Sequence, residues 1–191
     1  GGNAKINCAP AQAALSGGEK MDKSRYDEIY QIMLDSFPSF ELRTREGQEA
    51  LFDNPRYRVA VHETGGKIDA FLAWWDLPSC VFLEHIATAP ASRGSGIGAK
   101  LVKERCEKAQ KPVFLEIEPV AEEDPMTGRR AGFYRRLGFC ENRFPYLQLP
   151  LKEHDRALPL WIMSYQNPVG EAEFKAYQAE IYREVYGKRG E

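Results

Sequence analysis

Cysteine is scarce in this chain: four in 191 residues (Cys8, Cys80, Cys106, Cys140), none at metal-ligand or redox spacing from another. That excludes the usual zinc and dithiol motifs and leaves reduced, partly buried thiols of a cytoplasmic protein as the expectation. Neither sign of charge dominates, with 26 Lys and Arg against 28 Asp and Glu. A net charge of −2 gives no basis for nucleic acid or an anionic membrane as the main partner. Long apolar runs are missing too: residues 70–75 make a run of six, far short of the roughly 20 that a spanning helix needs. The first residues lack the basic flank and continuous apolar core of a secretory signal, and no segment repeats.

What is present fits one globular domain with a substantial core. Hydrophobic residues make up 43% and charged residues 28% of the chain, an ordinary balance that excludes disordered and fibrous classes. Residues 1–22 read as a small, polar arm, residues 23–168 as the domain, and residues 169–191 as an amphipathic C-terminal helix packed on it. Tyr26, Ile29, Tyr30, Met33, Leu34 and Phe37 follow helical spacing behind a Ser24/Asp27 capping box, and Pro38 ends that helix. A second helix is expected over residues 43–52. The period then changes. Residues 57–63 alternate, Gly65-Gly66 is a hairpin turn, residues 68–75 form a second strand, and residues 80–88 a third.

Residues 83–99, Leu-Glu-His-Ile-Ala-Thr-Ala-Pro-Ala-Ser-Arg-Gly-Ser-Gly-Ile-Gly-Ala, organise the rest. A buried strand ends near Thr88, Pro90 bends the chain, and Gly94, Gly96 and Gly98 lead into a helix with an apolar stripe of Ile97, Leu101, Val102, Cys106 and Ala109. Glycines at a strand-to-helix turn let backbone N–H groups point outward at the positive end of the helix dipole, a natural anion site. Because a helix links residues 80–88 to the strand at 113–118, these two strands are expected to be parallel neighbours. Residues 127–137 read as a helix closed by Gly138, residues 139–151 and 158–165 as strands, and residues 171–186 as the terminal helix.

Gly94, Gly96 and Ala99 also fit the dinucleotide pattern G-x-G-x-x-G/A, with Glu116 about 20 residues on. The chain departs from that pattern in two ways. Five residues separate Thr88 from Gly94, and strand-rich sequence surrounds the unit in place of βαβ repeats. A P-loop is excluded because no lysine-hydroxyl pair follows the last glycine.

The alternative is Arg-x-x-Gly-x-Gly at residues 93–98 after the strand Ile86-Ala87-Thr88. Here the chain resembles the GNAT superfamily of N-acetyltransferases, which carry [Arg/Gln]-x-x-Gly-x-[Gly/Ala] at the start of the third helix after the fourth strand. The resemblance continues at Phe133-Tyr134-Arg135-Arg136-Leu137-Gly138-Phe139, like the family's tyrosine-bearing helix followed by Gly-Phe. It implies an α+β fold, with a central, mostly antiparallel mixed sheet flanked by helices and with splayed parallel fourth and fifth strands. It also implies acetyl-CoA as cosubstrate and no metal. The amides of Arg93, Gly94, Ser95, Gly96, Ile97, Gly98 and Ala99 would take the pyrophosphate, and the main chain of Ile86, Ala87 and Thr88 the pantetheine arm. Tyr134 would be the general acid for the leaving thiolate, against the alternative of a core aromatic.

Direct transfer also needs a base, since an alkylamine with a pKa near ~10 is mostly protonated at neutral pH. Glu84 is the candidate, set against a solvated or salt-bridged strand glutamate; His85 points to the other face and reads as structural. Glu116 and Glu118 flank Ile117 on a central strand, where a bare charge is costly. They are candidates for binding a cationic acceptor, against pairing with Arg129, Arg130 or Arg135. Tyr146 joins them as a candidate acceptor contact. The expected partner is a small-molecule primary amine of cationic character, and homodimerisation is a family habit. A non-catalytic acyl-CoA binder is the competing reading. The family's asparagine seven residues before the tyrosine is replaced here by Thr127.

Overall fold

A computed structural model of the chain describes residues 5–7 and 23–188. The expected N-terminal arm otherwise lies outside the described residues. Two compact units emerge, one from the described part of Gly1–Trp75 with Glu84–Val102, the other from Asp76–Leu83 with the described part of Lys103–Glu191. Two strands and one helix cross from unit to unit within their own length.

In the first unit, β1 (Lys5–Asn7) pairs antiparallel with β2 (Tyr57–Thr64), and β2 antiparallel with β3 (Lys67–Asp76). The β2–β3 turn has Gly65 and Gly66 at φ 60° and 82°, the doubly left-handed geometry whose twist matches the flanking strands. The end of β4 (Val81–Thr88) lies beside β3. Helix α1 (Lys23–Ser36) buries Tyr26, Ile29, Ile32 and Met33. It starts at Lys23, so Ser24 sits inside the helix and not at its cap.

Helix α2 (Arg45–Ala50) is shorter than the periodicity predicts because Thr44 caps it, its side chain accepting from Gly47 N, and the chain tightens to a 3-10 turn at Leu51–Asp53. The core of this unit is aromatic: Tyr57 meets Trp75 edge-on at 5.3 Å and Phe52 at 6.0 Å.

In the second unit the start of β4 pairs in parallel with β5 (Val113–Ile117), through Val81, Phe82 and Leu83 opposite Val113, Phe114 and Leu115. This is the parallel pair expected from the helical crossover, α3 (Ile97–Lys108). The ladder ends at Leu83–Leu115, although β4 runs five residues further and β5 two. On its other edge β5 pairs, from Phe114 to Ile117, with Ser164 to Trp161 of β7 (Leu158–Tyr165), which is antiparallel to β5 and to β6 (Phe139–Gln148).

Helix α4 (Pro125–Arg136) has Asp124 as its N-cap, accepting from Met126 N, and Pro125 in its first turn, where a missing N–H costs nothing. Helix α5 (Glu171–Glu184) packs Phe174 and Ile181 into the core, with Phe174 edge-on to Phe114 at 5.1 Å. Among the described residues no helix is long and apolar enough to cross a membrane.

Candidate active site

The glycine turn is built as its sequence demands. Gly94 and Gly96 adopt φ 78° and 79°, a region that costs an L-residue roughly 1–2 kcal/mol. Gly98 is helical; a Cβ there would lie 3.6 Å from Thr88 Oγ1 and 3.7 Å from Ile86 Cδ1, ordinary contact of α3 on β4. The first bond of α3 runs from Lys100 N to Gly96 O at 3.2 Å. Among the described residues, the amides of residues 94–99 donate to no carbonyl or side chain. Six consecutive N–H groups at a helix start, with open space over both left-handed glycines, suit an anion such as a pyrophosphate. The Arg93 guanidinium donates to Thr88 O at 3.4 Å and Asp35 O at 3.2 Å, and the Ser95 hydroxyl to Ser92 O at 2.6 Å, so the turn is tied to the end of β4 and to α1.

Residues 84–88 of β4 lie beyond the parallel ladder, which leaves the main chain of Ile86, Ala87 and Thr88 without β5 as a partner. Glu84 begins this stretch, and its side chain is only 6% exposed. Arg43 donates to Oε1 at 2.7 Å and Trp75 Nε1 to Oε2 at 3.0 Å. Burial works to raise its pKa, but Arg43, His85 and these two hydrogen bonds outweigh that and hold the carboxyl below the ordinary range. The salt-bridged form of Glu84 is therefore the one observed. His85, expected on the opposite face as a structural residue, is buried with Nδ1 3.8 Å from Glu84 Oε2, bonded through Nε2 to Glu41 O at 2.9 Å and edge-on to Phe37 at 4.9 Å. Sequence spacing does not reveal Arg43 and Trp75 as the partners of Glu84. The only signal was a lone arginine at the entrance of α2, which nothing tied to a strand 41 residues away.

In the second unit, Tyr134 sits on α4, half-buried, with its ring edge-on to Phe133 at 5.0 Å and Phe139 at 5.7 Å. Its hydroxyl has no hydrogen-bond partner among the described residues. Burial pushes the phenol up to about 12, so it stays protonated over the physiological range. Thr127, standing where the family has asparagine, is spent locally: its hydroxyl accepts from Ala121 N at 2.9 Å and donates to Asp124 O at 2.7 Å.

Glu116 and Glu118 part company. Glu118 lies just past β5 and pairs with Arg130, one of the partners expected for it. Glu116 accepts from Tyr146 OH at 2.8 Å, Gln148 Nε2 at 2.7 Å, and Tyr186 OH at 2.7 and 3.0 Å to its two oxygens. Tyr146 is 4% exposed, and burial, then the Glu116 charge, push its phenol well above the ordinary value. Gln148 and Tyr186 are further partners that sequence spacing did not reveal.

Comparison with known proteins bears on the same segments. The model of the GNAT acetyltransferase family matches residues 26–139. YjbC of Bacillus subtilis (strain 168), named as an acetyltransferase with no acceptor stated, is 32% identical over 111 residues, 58% of this chain and 55% of its own. The chain thus spans about half the length of that curated relative. A GNAT-family acetyltransferase structure from Bacteroides thetaiotaomicron is 29% identical with a TM-score of 0.79, over 90% of this chain and 98% of that one. An acetyltransferase of Salmonella typhimurium solved with acetyl-CoA is 19% identical at a TM-score of 0.56, over 88% and 96% of the two chains, and carries the fold alone. The family match takes in the glycine turn and the tyrosine-bearing helix together, and the chain is a member of the GNAT family of acetyltransferases.

Proposed function

We propose that this protein transfers an acetyl group from acetyl-CoA to a primary amine, by direct attack within a ternary complex. The observation that carries the reading is the run of unengaged amides at residues 94–99, a short turn after the stretch of β4 that lies beyond its ladder with β5. The amides take the pyrophosphate, and the main chain of Ile86, Ala87 and Thr88 takes the pantetheine arm as an added strand would. The thioester supplies an activated acyl carbon and a thiolate leaving group. The amine lone pair forms the new C–N bond, the C–S bond breaks, and Tyr134 gives its proton to the thiolate. The surplus proton on nitrogen goes to Glu84, directly or through a water.

The acceptor is a small amine of cationic character, with Glu116, Tyr146 and Glu118 as its proposed contacts. The Tyr146 and Tyr186 hydroxyls both donate to Glu116 and hold its side chain in one position beside Tyr146.

The test is thiol release from acetyl-CoA by the purified full chain across polyamines, amino sugars and lysine-terminated peptides, with product mass as a second readout. Release matched by an acetylated amine supports the reading. Binding of coenzyme A with no release for any amine replaces it with a non-catalytic acyl-CoA binder, and tighter binding of NAD than of coenzyme A removes both.

A further inference from the structure

A carboxylate held below its ordinary pKa range by an arginine is by itself a weak proton acceptor, so what stands next to Glu84 matters. His85 is 4% exposed, and its Nε2 lies 2.9 Å from Glu41 O. A carbonyl only accepts, so the ring proton sits on Nε2 and Nδ1 carries a lone pair. That Nδ1 is buried with no hydrogen-bond partner, a condition rare enough in folded proteins to need a reason. The charged atom it faces is Glu84 Oε2 at 3.8 Å, another acceptor, already bonded to Trp75 Nε1. Two acceptors thus confront each other inside the first unit with no donor between them. One proton satisfies both.

We propose that Glu84 and His85 act as a single proton-accepting pair, in which a proton received at the Glu84 carboxylate is shared with Nδ1 of His85. The use of the pair rests on the acetyl-transfer reading; its geometry does not. In the reaction the nitrogen becomes acidic once it has bonded to the acyl carbon. Its proton passes to Glu84, and the N–H electron pair stays on nitrogen. Closing of the 3.8 Å gap to hydrogen-bond length lets Nδ1 take a share of that proton. The resulting positive charge is steadied by Nε2–H against Glu41 O on one side and by the Glu84 carboxylate on the other. After the C–S bond breaks, the pair releases its proton to solvent and Tyr134 recovers one.

The groups facing the imidazole are named by the packing. Glu84 lies on its own strand, Arg43 and the Glu41 carbonyl come from the α1–α2 connection, and Phe37 closes the site with its ring. Tyr57 of β2 and Trp75 of β3 face the carboxylate. Burial and Arg43 keep the imidazole neutral, and Glu84 opposes them, so at neutral pH the acceptor is empty and ready. His85 acts through Glu84 and is a positioning residue for the proton.

The experiment has two arms. His85→Gln keeps a donor able to reach the Glu41 carbonyl and removes the Nδ1 lone pair. The expected result is kcat lower by tenfold or more, acceptor KM within twofold, and an acid limb of kcat/KM moved to lower pH, since Glu84 then titrates alone. Wild-type kcat and an unmoved limb overturn the proposal. The second arm uses the wild-type chain without substrates, with ring nitrogens and carboxyl carbons labelled for NMR. Support is an Nε2–H tautomer at pH 7 and a common midpoint for Glu84 and His85 on acidification, as a shared proton requires. An Nδ1–H tautomer, or a histidine titration to which Glu84 is indifferent, overturns it. A wild type that acetylates no amine overturns the reading of function instead, and the NMR arm then decides the pair alone.

Discussion

Two glutamates on neighbouring strands show how differently one side chain can be satisfied. Glu84 is neutralised by a guanidinium 2.7 Å away, whereas Glu116 accepts from two phenols and an amide. The first arrangement binds charge to charge in a dry site; the second holds a carboxylate by hydroxyl and amide hydrogen bonds. Tyr134 is the third informative residue, because its hydroxyl is the polar group without a hydrogen-bond partner on a ring otherwise packed against Phe133 and Phe139. Removing that oxygen leaves the ring packing in place. Tyr134→Phe is therefore expected to lower kcat by roughly 10²-fold, within the range for a lost general acid. Its affinity for coenzyme A, read by calorimetry, should stay unchanged. An undiminished kcat would make Tyr134 a core aromatic and nothing more.

The glycine turn and the strand before it are legible at the scale of elements because both depend on local rules. A strand followed by Pro90 and two left-handed glycines cannot continue as strand or start a helix early, so α3 begins where the sequence pattern says. The glycines are not equivalent, and substitution separates them. Gly96→Ala puts a Cβ into open space but at φ 79°. It should cost about 1 kcal/mol in denaturant melts and weaken coenzyme A binding by disturbing the amides. Gly98→Ala adds a helix-favouring residue in ordinary contact with Thr88 and should be neutral or stabilising, by up to about 1 kcal/mol, with binding retained. Equal losses from both would show that the turn's conformation does not govern the cradle. Helix α4 begins before the predicted Thr127 because Asp124 and Pro125 supply the cap and first turn. Those residues read as part of an acidic loop, since a cap is recognisable only once the helix direction is known.

For the molecule as a whole, the pair of buried ionisable groups in the first unit sets an acid limit to stability. Both Glu84 and His85 have folded pKa values below their ordinary values of 4.5 and 6.5. The unfolded chain therefore binds those protons more readily than the folded one, and acidification favours unfolding. Their contribution is complete above about 6.5 and is lost as pH falls and the pair takes up its protons. Melting temperature should drop between pH 7 and 5 in the wild type and drop less over that window in His85→Gln. A wild-type melting temperature that rises over the same window contradicts the assigned direction.

Period, turn chemistry and caps act over a few residues, and from them the sequence by itself determined the mixed α+β class and the parallel β4–β5 pair. Residues 93–98 and 133–139 add the glycine turn and the tyrosine-bearing helix of the GNAT family. The tertiary structure alone decided the partners of the charges: Arg43 and Trp75 on Glu84, Tyr146, Gln148 and Tyr186 on Glu116, Arg130 on Glu118, and the orphaned Nδ1 of His85. Those contacts join residues 9 to 70 positions apart. Coulombic and hydrogen-bonding preferences are too short in range and too permissive of partner to be read from sequence spacing, so packing decides which of them are met.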